Sequence, residues 1–544
     1  MLNVIKRLPL MRNSARNRKW LLIVGVVALA FVIFMISIVA AHRLHTYSSD
    51  DVAQQTILMN DGKYGQHEAW LGVDNFLLKM PIYQVINTFI GQSRIALLVT
   101  TLIFNALAFL AVVGVLFVIW RDQLKTVDKK IPGFVAPALI GMLWISSLGG
   151  DMANALINPN VRNAEIGICL LLAVLALKQA AIKKPRLWVS AAISVGVGLF
   201  VFNDPYFLFT LFAALAAVPL YYFFFKQETH SDISMAHLYA IVGGALVTYK
   251  IVGAILLAFG FHVYFTSVTF ASLGTLGTNI SNVLSAFVMM FHANFFGQSL
   301  SVGTVAALLN TITAVALIVM AIFYYAVKNR LTNPYGILAV LTIVITIALY
   351  GITTNSDSAS TSRYLVIVPF ALLVIIPFVL REIQNARRKY LVIAMIVAAA
   401  VLNTFILVVS LKTPNLAANI TDEHTIATVK ETDVRKGYGD YWDSNITTYL
   451  SRSSIMTIPV TCNSSQLQIY YWLIDSAWLT RKASSTYLIV NKDYETFKRC
   501  DGTLLETQFG SPNQRIVIDS ARTVYIYNYD IYTKMPGRLK LNAP

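Results

Sequence analysis

The chain has 544 residues, of which 56% are hydrophobic and only 13% are charged, and its mean hydropathy is +0.62. Soluble domains carry about 25% charged residues, so this composition excludes a cytosolic enzyme, a secreted module and a disordered protein. The net charge of +16 could indicate nucleic-acid binding, but the positions of the basic residues indicate membrane topology instead. The sequence therefore predicts a polytopic α-helical membrane protein.

Long apolar runs recur along residues 20–411, the predicted transmembrane domain. A helix crosses the hydrocarbon core with about 20 apolar residues, and on this basis we expect about 11 transmembrane helices. The first run follows a basic N-terminus, residues 1–19, and is longer than the apolar core of a signal peptide, which indicates a retained anchor. The predicted spans are 19–41, 94–120, 133–150, 164–180, 187–203, 206–225, 238–260, 301–327, 335–353, 364–380 and 390–411.

Lys and Arg in the short loops predict the orientation, because cytoplasmic loops are enriched in them. With the N-terminus inside, the inner segments hold 21 basic residues and the outer loops hold six. This predicts a multi-pass protein of the plasma (inner) membrane with a cytoplasmic N-terminus, and it removes the need for a nucleic-acid partner. A further run at 279–296 is apolar with some polar residues. If it crossed the membrane, the predicted orientation of every later segment would be inverted. We therefore expect an interfacial or re-entrant helix on the outer side there.

The segment 412–544 has a different character, with mixed charge and short β-rich runs. It predicts a small extracytoplasmic α/β domain of roughly 130 residues, within the usual domain size. Cys462 and Cys500 could pair in an oxidising compartment, although two thiols are weak evidence for a disulfide. The β-rich runs are 456–462, 487–492, 515–519 and 523–529.

The first outer loop, residues 42–93, contains an acidic pair, Asp50 and Asp51, directly after the first span. A carboxylate there could act as general base on an acceptor hydroxyl or hold a divalent metal. Equally, Ser48 or Ser49 could cap a helix over 50–59, whose positive end favours acids. Both interpretations remain open from the local sequence.

The same loop ends in a predicted amphipathic helix that begins near Pro81, a residue suited to the first helical turn. Apolar residues then recur at helical spacing, which is typical of a helix lying on the membrane surface. An acidic pair, a long loop and an interfacial helix together indicate an outer-face active site. The apolar residues are Ile82, Val85, Ile86, Phe89 and Ile90.

Other candidate residues lie in the spans or at their outer ends. Lys250 is in the middle of a predicted span, where a cation is costly and indicates function by facing a cavity or an anion. It could also pair with a carboxylate or snorkel to the surface. Arg363 could bind a lipid phosphate or serve as an interfacial anchor. Asp151 and Asp204 lie in outer loops, where a solvated acid is the ordinary interpretation.

Nucleotide-binding and hydrolase motifs are missing from the sequence. It contains no phosphate-binding loop, no HExxH, no GxSxG and no dinucleotide fingerprint on a strand–helix unit. A membrane enzyme without nucleotide machinery needs a donor that is already activated and carried on a lipid.

With the acidic pair, the first loop and the many short-looped spans, the chain resembles the GT-C superfamily of membrane glycosyltransferases, including the protein mannosyltransferase and aminoarabinose transferase groups. Arg363, Tyr364 and Pro369 also resemble a segment before a late span in that group. The chain departs from the mannosyltransferases by having Asp-Asp where Asp-Glu is usual.

The resemblance implies roles for individual residues. Asp50 or Asp51 would be the catalytic base or a metal contact, and Asp151 the assisting acid. Lys79 and Arg363 would meet the donor phosphate, and the intramembrane cation Lys250 is a third candidate for that role. A divalent metal is a possible cofactor, and the sequence assigns no ligand set to it.

The resulting hypothesis is transfer of a sugar from a polyprenyl-phosphate donor to a glycan, lipid or protein acceptor at the outer membrane face. A single displacement at the anomeric carbon would invert its configuration. The rival functions are a lipid or solute transporter or flippase, with Lys250 and Asp204 on its path, and a membrane scaffold or sensor. The structured first loop argues against the scaffold.

Overall fold

The computed structural model of this protein describes the chain over a defined set of residues. These are residues 14–44, 69–72, 76–126, 132–148, 163–225, 234–264, 269–291, 295, 297–324, 333–353, 364–410, 417–463, 466–471 and 474–536.

The described residues of each of the 11 predicted apolar runs are mainly helical, because lipid leaves intrahelical bonding as the way to satisfy backbone groups. The described α-helices up to residue 410 are α1 Ser14–Leu44, α2 Phe76–Ile90, α3 Arg94–Thr126, α4 Pro132–Ser147, α5 Asn163–Ala180, α6 Leu187–Asn203, α7 Ala213–Phe225, α8 Met235–Ala258, α9 Leu276–Met290, α10 Val302–Ile322, α11 Pro334–Ile352, α12 Ile367–Glu382 and α13 Ala386–Ser410. A π-helical turn, Leu208–Phe212, leads into α7.

The number of membrane crossings differs from the prediction. Within the described residues, seven helices are long and apolar enough to cross a membrane by length and composition. Six of them lie in predicted spans, and the seventh, Leu273–Met290, was predicted to be interfacial. Three shorter apolar helices, Val135–Ser147, Leu187–Asn203 and Leu208–Phe224, add to these. The predicted figure of 11 is therefore not confirmed, because several of the apolar runs form helices below spanning length.

Close helix packing in the bundle depends on glycine. A Cβ at Gly167 of α5 would stand 2.4 Å from the Ala108 carbonyl oxygen of α3. A Cβ at Gly198 of α6 would stand 2.5 Å from the Ala245 carbonyl oxygen of α8. Small residues let helix backbones approach closely, as is common where apolar burial gives little driving force between helices in lipid.

A buried polar network links α4, α10 and α13. The Trp144 indole donates to Asn310 Oδ1 at 3.0 Å, and Asn310 and Asn403 exchange amide hydrogen bonds of 3.0 and 3.1 Å. Asn403 Nδ2 also lies 3.5 Å from Ser147 Oγ. All four residues are buried, so these bonds both satisfy polar groups and fix the relative positions of the helices.

The C-terminal segment forms the predicted small α/β domain. Its six-stranded sheet has the order β5-β4-β3-β7-β9-β8, with β3 parallel to β4 and β7, and the other neighbours antiparallel. Cys462 and Cys500 form a disulfide across 38 residues of sequence. The elements are α14 Ala417–Glu431, β3 Lys436–Asp440, α15 Tyr441–Leu450, β4 Met456–Asn463, β5 Gln466–Ile469, β6 Ile474–Asp475, α16 Ser476–Thr480, β7 Thr486–Asn491, α17 Glu495–Arg499, α18 Gly502–Phe509, β8 Gln514–Val517 and β9 Arg522–Tyr527.

A second, three-stranded sheet joins three distant parts of the chain. Its central strand is β1, Ala69–Gly72, from the first long loop. This strand pairs in parallel with β2, Phe261–Tyr264, which follows α8, and antiparallel with β6 of the C-terminal domain. Hydrogen-bonded strands lie on one side of a membrane, so these three segments share a side. We call the end of the helical bundle at this sheet the domain end.

The helix α9 has both of its ends at the domain end. Near its start, Asn279 Nδ2 donates to the carbonyls of Gly351 and Thr353, at the end of α11. Just after its last residue, Phe291 stacks on Trp144, in the last turn of α4, with ring centroids 6.0 Å apart. Among the described residues, five bundle helices, α9 to α13, lie between β2 and β6. Both strands pair with β1, so an even number of these helices crosses the membrane. The contacts at the two ends of α9 fit the predicted interfacial position, which stays a prediction.

Candidate functional site

The structure does not test the principal catalytic predictions. Asp50, Asp51, Asp151 and Arg363 lie outside the described residues. Lys79 is the fourth residue of α2, and it lies there on a helix that reaches the domain end. The roles of these residues remain predictions.

The helix α2 begins at Phe76, five residues before the predicted start, so Pro81 lies inside it. Proline in the interior removes one intrahelical hydrogen bond. Tyr83, Ile86 and Asn87 are buried, and Tyr83 packs edge-on against Phe104 of α3.

The predicted apolar stripe of α2 is divided between two surfaces. Ile86 faces the protein, whereas Val85 is 56% exposed and Phe89 is 85% exposed. Large exposed apolar side chains on a helix that also packs on protein fit a helix at the membrane surface.

Lys250 is exposed on α8. Only 11% of the apolar stretch of this helix is buried inside the protein. Its ammonium group stands 5.6 Å from the centroid of the neighbouring Tyr249 ring. Tyr249 in turn packs against Phe202 at the end of α6, with ring centroids 5.5 Å apart. Eight residues separate Lys250 from the end of α8, about 12 Å along the helix, a distance that a long side chain shortens by snorkelling.

The residue after Arg363 is held by tyrosines at the domain end. Tyr206 donates its hydroxyl to the Tyr364 carbonyl oxygen. The ring of Tyr364 also lies near those of Tyr206 and Tyr350, at 6.3 and 6.4 Å between centroids. Asp204 is buried and accepts from the Tyr206 backbone amide at 2.9 Å, which fixes the turn that carries this tyrosine. Asp204 is therefore not the solvated loop acid of the ordinary interpretation, and sequence reasoning did not identify Tyr206.

Ion pairs at the domain end connect the membrane helices to the C-terminal domain. Arg94, the first residue of α3, pairs with Asp422 at 3.1 Å. Arg522 pairs with Asp422 and with Asp443, both at 2.8 Å. Asn491 donates to Asp443 at 3.2 Å. We call Arg94, Asp422, Arg522 and Asp443 the charge clamp.

Burial dominates the electrostatics of the charge clamp. It raises the pKa of Asp443 to about 7, although Arg522 and Asn491 both favour the carboxylate. Burial also raises the pKa of the neighbouring Asp440, despite hydrogen bonds from Thr496 and the Trp442 amide. Sequence reasoning counted Arg94 only as an outer basic residue, because its partner is 328 positions away.

Metal binding has no support among the residues with a defined position. Within the described ranges, no group of three or more His, Cys, Asp or Glu could hold a metal ion. The acids predicted as metal contacts lie outside these ranges.

Comparison with solved structures identifies the fold. ArnT from Cupriavidus metallidurans in the apo state aligns with a TM-score of 0.54 and 10% identity, over 96% of this chain and 100% of that chain. The chain has an ArnT-like GT-C fold. The same protein bound to undecaprenyl phosphate aligns with a TM-score of 0.53 and 10% identity, over 93% of this chain and 98% of that one.

The Archaeoglobus fulgidus oligosaccharyltransferase, in complex with zinc and sulfate, aligns less well, with a TM-score of 0.45 and 14% identity over 92% of this chain and 73% of that chain. No family model matches the sequence, and no curated protein matches it. The predicted GT-C architecture, a helical membrane domain with a small C-terminal sheet domain, is thus confirmed at the level of the fold.

Proposed function

We propose that this protein is a membrane glycosyltransferase that moves a sugar from a polyprenyl-phosphate donor to a glycan, lipid or protein acceptor at the outer face of the plasma membrane. The observation that carries the proposal is the alignment with ArnT over nearly the whole of both chains, since ArnT also binds undecaprenyl phosphate. A fold alone does not determine an activity. The arrangement of the domain end gives the proposal its second support.

The first loop, the segment after α8 and the C-terminal domain meet at the domain end. These are the segments that the sequence places on the outer side, together with the acids of the first loop. The disulfide between Cys462 and Cys500 fits an oxidising compartment outside the cytoplasm. The segment containing Arg363 leads directly into Tyr364 at the same end.

The chemistry of the proposed reaction is a single displacement. A carboxylate, Asp50 or Asp51, takes the proton of an acceptor hydroxyl while the oxygen of that hydroxyl attacks the anomeric carbon. The bond from that carbon to the phosphate oxygen breaks, and the electron pair leaves with the polyprenyl phosphate. Lys79, Arg363 and Lys250 are the proposed cations that stabilise the leaving phosphate, and Asp151 is the proposed assisting acid.

The decisive experiment is native mass spectrometry of the detergent-purified protein with added undecaprenyl phosphate. We expect the wild type to bind this lipid and Arg363→Ala to lose at least tenfold in affinity. Arg387→Ala is the matched control, because Arg387 is an exposed arginine in the first turn of α13, far from the domain end. Absence of binding to the wild type at excess lipid would refute the proposal and favour a transporter.

The acids are tested separately from lipid binding. Asp50→Asn and Asp51→Asn should keep the affinity for undecaprenyl phosphate, and the substitution at the base should lower sugar transfer by roughly 10²–10⁴-fold. Full transfer activity in both variants would exclude the acidic pair as the source of the base.

A further inference from the structure

The C-terminal domain contacts the helix that carries Lys79. Tyr449 of α15 donates its hydroxyl to Asn87 Oδ1 of α2 at 2.8 Å, and both residues are buried. The ring of Tyr449 packs with Ile446 of the same helix and with Leu97 of α3 in a small apolar cluster. This hydrogen bond therefore joins the domain to α2 inside a buried contact.

The junction between α2 and α3 is tightly defined. Gly91 follows the last residue of α2; its amide donates to the Asn87 carbonyl at 2.9 Å, and its φ of +78° favours glycine. Three residues later, Arg94 enters the charge clamp through its 3.1 Å contact with Asp422. The domain thus contacts both sides of this turn, once at Asn87 and once at Arg94.

We propose that Tyr449 is a positioning residue for donor binding, and that it acts by holding α2, and with it Lys79, at the domain end. The inference rests on the proposed function. Lys79 precedes Asn87 by eight residues on α2, about 12 Å along the helix axis. Because α2 exposes apolar side chains on its other face, its contacts with α3 and with the domain hold it in place, and we expect it to shift when the domain contact is loosened.

The first measurement is structural and needs no activity. Hydrogen–deuterium exchange of full-length protein in nanodiscs should show the amides of residues 76–90 exchanging about tenfold faster in Tyr449→Phe. Tyr487→Phe is the matched control: Tyr487 is a fully buried tyrosine of the same domain whose hydroxyl pairs with Thr457. It should leave the exchange of α2 unchanged.

The second measurement is the affinity for undecaprenyl phosphate, read by native mass spectrometry. We expect Tyr449→Phe to weaken binding by about three- to tenfold, and Tyr487→Phe to leave it unchanged. In a Lys79→Gln background, Tyr449→Phe should cost little more, because residues that act through one another have non-additive effects. Lys79→Gln keeps a long polar side chain, so that residual binding stays measurable.

The outcomes separate this inference from the proposed function. A wild type that binds no undecaprenyl phosphate overturns both. A wild type that binds it, with unchanged affinity and unchanged exchange in Tyr449→Phe, overturns the inference alone. Equal losses in Tyr449→Phe and Tyr487→Phe, or effects of Tyr449→Phe and Lys79→Gln that add fully, would assign Tyr449 a purely structural role.

Discussion

Replacing Arg522 by methionine should remove the central cation of the charge clamp and destabilise the C-terminal domain. Its side chain is 11% exposed and pairs at 2.8 Å with Asp422 and Asp443, which are 5% and 4% exposed. Breaking a buried ion pair by removing one partner costs about 3–5 kcal/mol, because it leaves an uncompensated charge. In the variant Asp422 keeps its ion pair with Arg94, and Asp443 keeps its hydrogen bond from Asn491. We therefore expect a loss of stability at the lower end of this range, about 3 kcal/mol.

The loss should depend on pH in a defined direction. Burial raises the pKa of Asp443 to about 7 in the folded wild type, above its unfolded value near 3.9. The folded state therefore holds this proton more tightly, and the Asp443 contribution to stability falls as the pH rises from about 4 to 7. Loss of Arg522 raises this pKa further, so the deficit of the variant should grow above pH 7 by up to about 1.4 kcal/mol per pH unit.

The assay is urea-dependent pulse proteolysis of the full-length chain in nanodiscs at pH 6 and pH 8.5, with fragments of residues 417–536 followed by mass spectrometry. Arg499→Met is the control, because Arg499 is 70% exposed in its pair with Glu495 and such pairs contribute about 0–1 kcal/mol. Equal effects of Arg522→Met and Arg499→Met, or an Arg522→Met deficit that is the same at both pH values, would refute the reasoning.

Three other substitutions test the fold. Cys500→Ser should lower domain stability by about 3–4 kcal/mol, because it opens the loop closed with Cys462; equal urea midpoints of the variant and the wild type without reductant would contradict this. Gly167→Ala should lower the melting temperature in detergent, since its Cβ would stand 2.4 Å from a backbone carbonyl of α3, while Gly243→Ala, with nothing within 4 Å, should not lower it. Asn310→Leu should cost about 1–2 kcal/mol, measured by thermal unfolding, and no loss would mean that the interhelical amide pair is dispensable.

The helices were predictable because lipid imposes a simple rule on sequence. A run of apolar residues in a chain with few charges has to satisfy its backbone internally, so the run predicts a helix without any knowledge of its neighbours. The number of crossings was not predictable in the same way. The runs at 133–150 and 187–203 correspond to α4, Pro132–Ser147, and α6, Leu187–Asn203, which have 16 and 17 residues. Their length alone leaves a full crossing undecided.

The longer strands of the C-terminal domain were also predictable from local sequence patterns. The runs at 456–462 and 487–492 alternate or concentrate β-branched residues, and they correspond to β4 and β7. The three-stranded sheet was missed, because β1, β2 and β6 have two to four residues each and lie hundreds of positions apart. Strands this short carry no periodicity, and their pairing is decided by the packing of the whole molecule.

The helix α2 shows that an amphipathic sequence pattern does not identify the buried face of a helix. The sequence assigned one apolar face to α2, whereas the structure buries Tyr83 and Asn87 on one side and exposes Phe89 on another. A polar residue such as Asn87 carries no signal of burial until its partner, Tyr449, is known. The predicted catalytic residues remain predictions for a different reason, since most of them lie outside the described residues.

Four acids of the C-terminal domain that have a defined position are already engaged in the fold. Asp422 and Asp443 pair with Arg522, Asp530 pairs with Lys436 at 2.8 Å, and Asp475 accepts the Ala477 amide in the first turn of α16. A general base must be able to accept a proton from the acceptor and release it afterwards, and a carboxylate held in a buried ion pair or a helix cap is poorly suited to that task. This argument disfavours these four acids as the base, whereas Asp50, Asp51 and Asp151 stay the proposed acids. Asp50→Asn and Asp51→Asn are therefore the variants to measure for turnover before these four acids of the C-terminal domain.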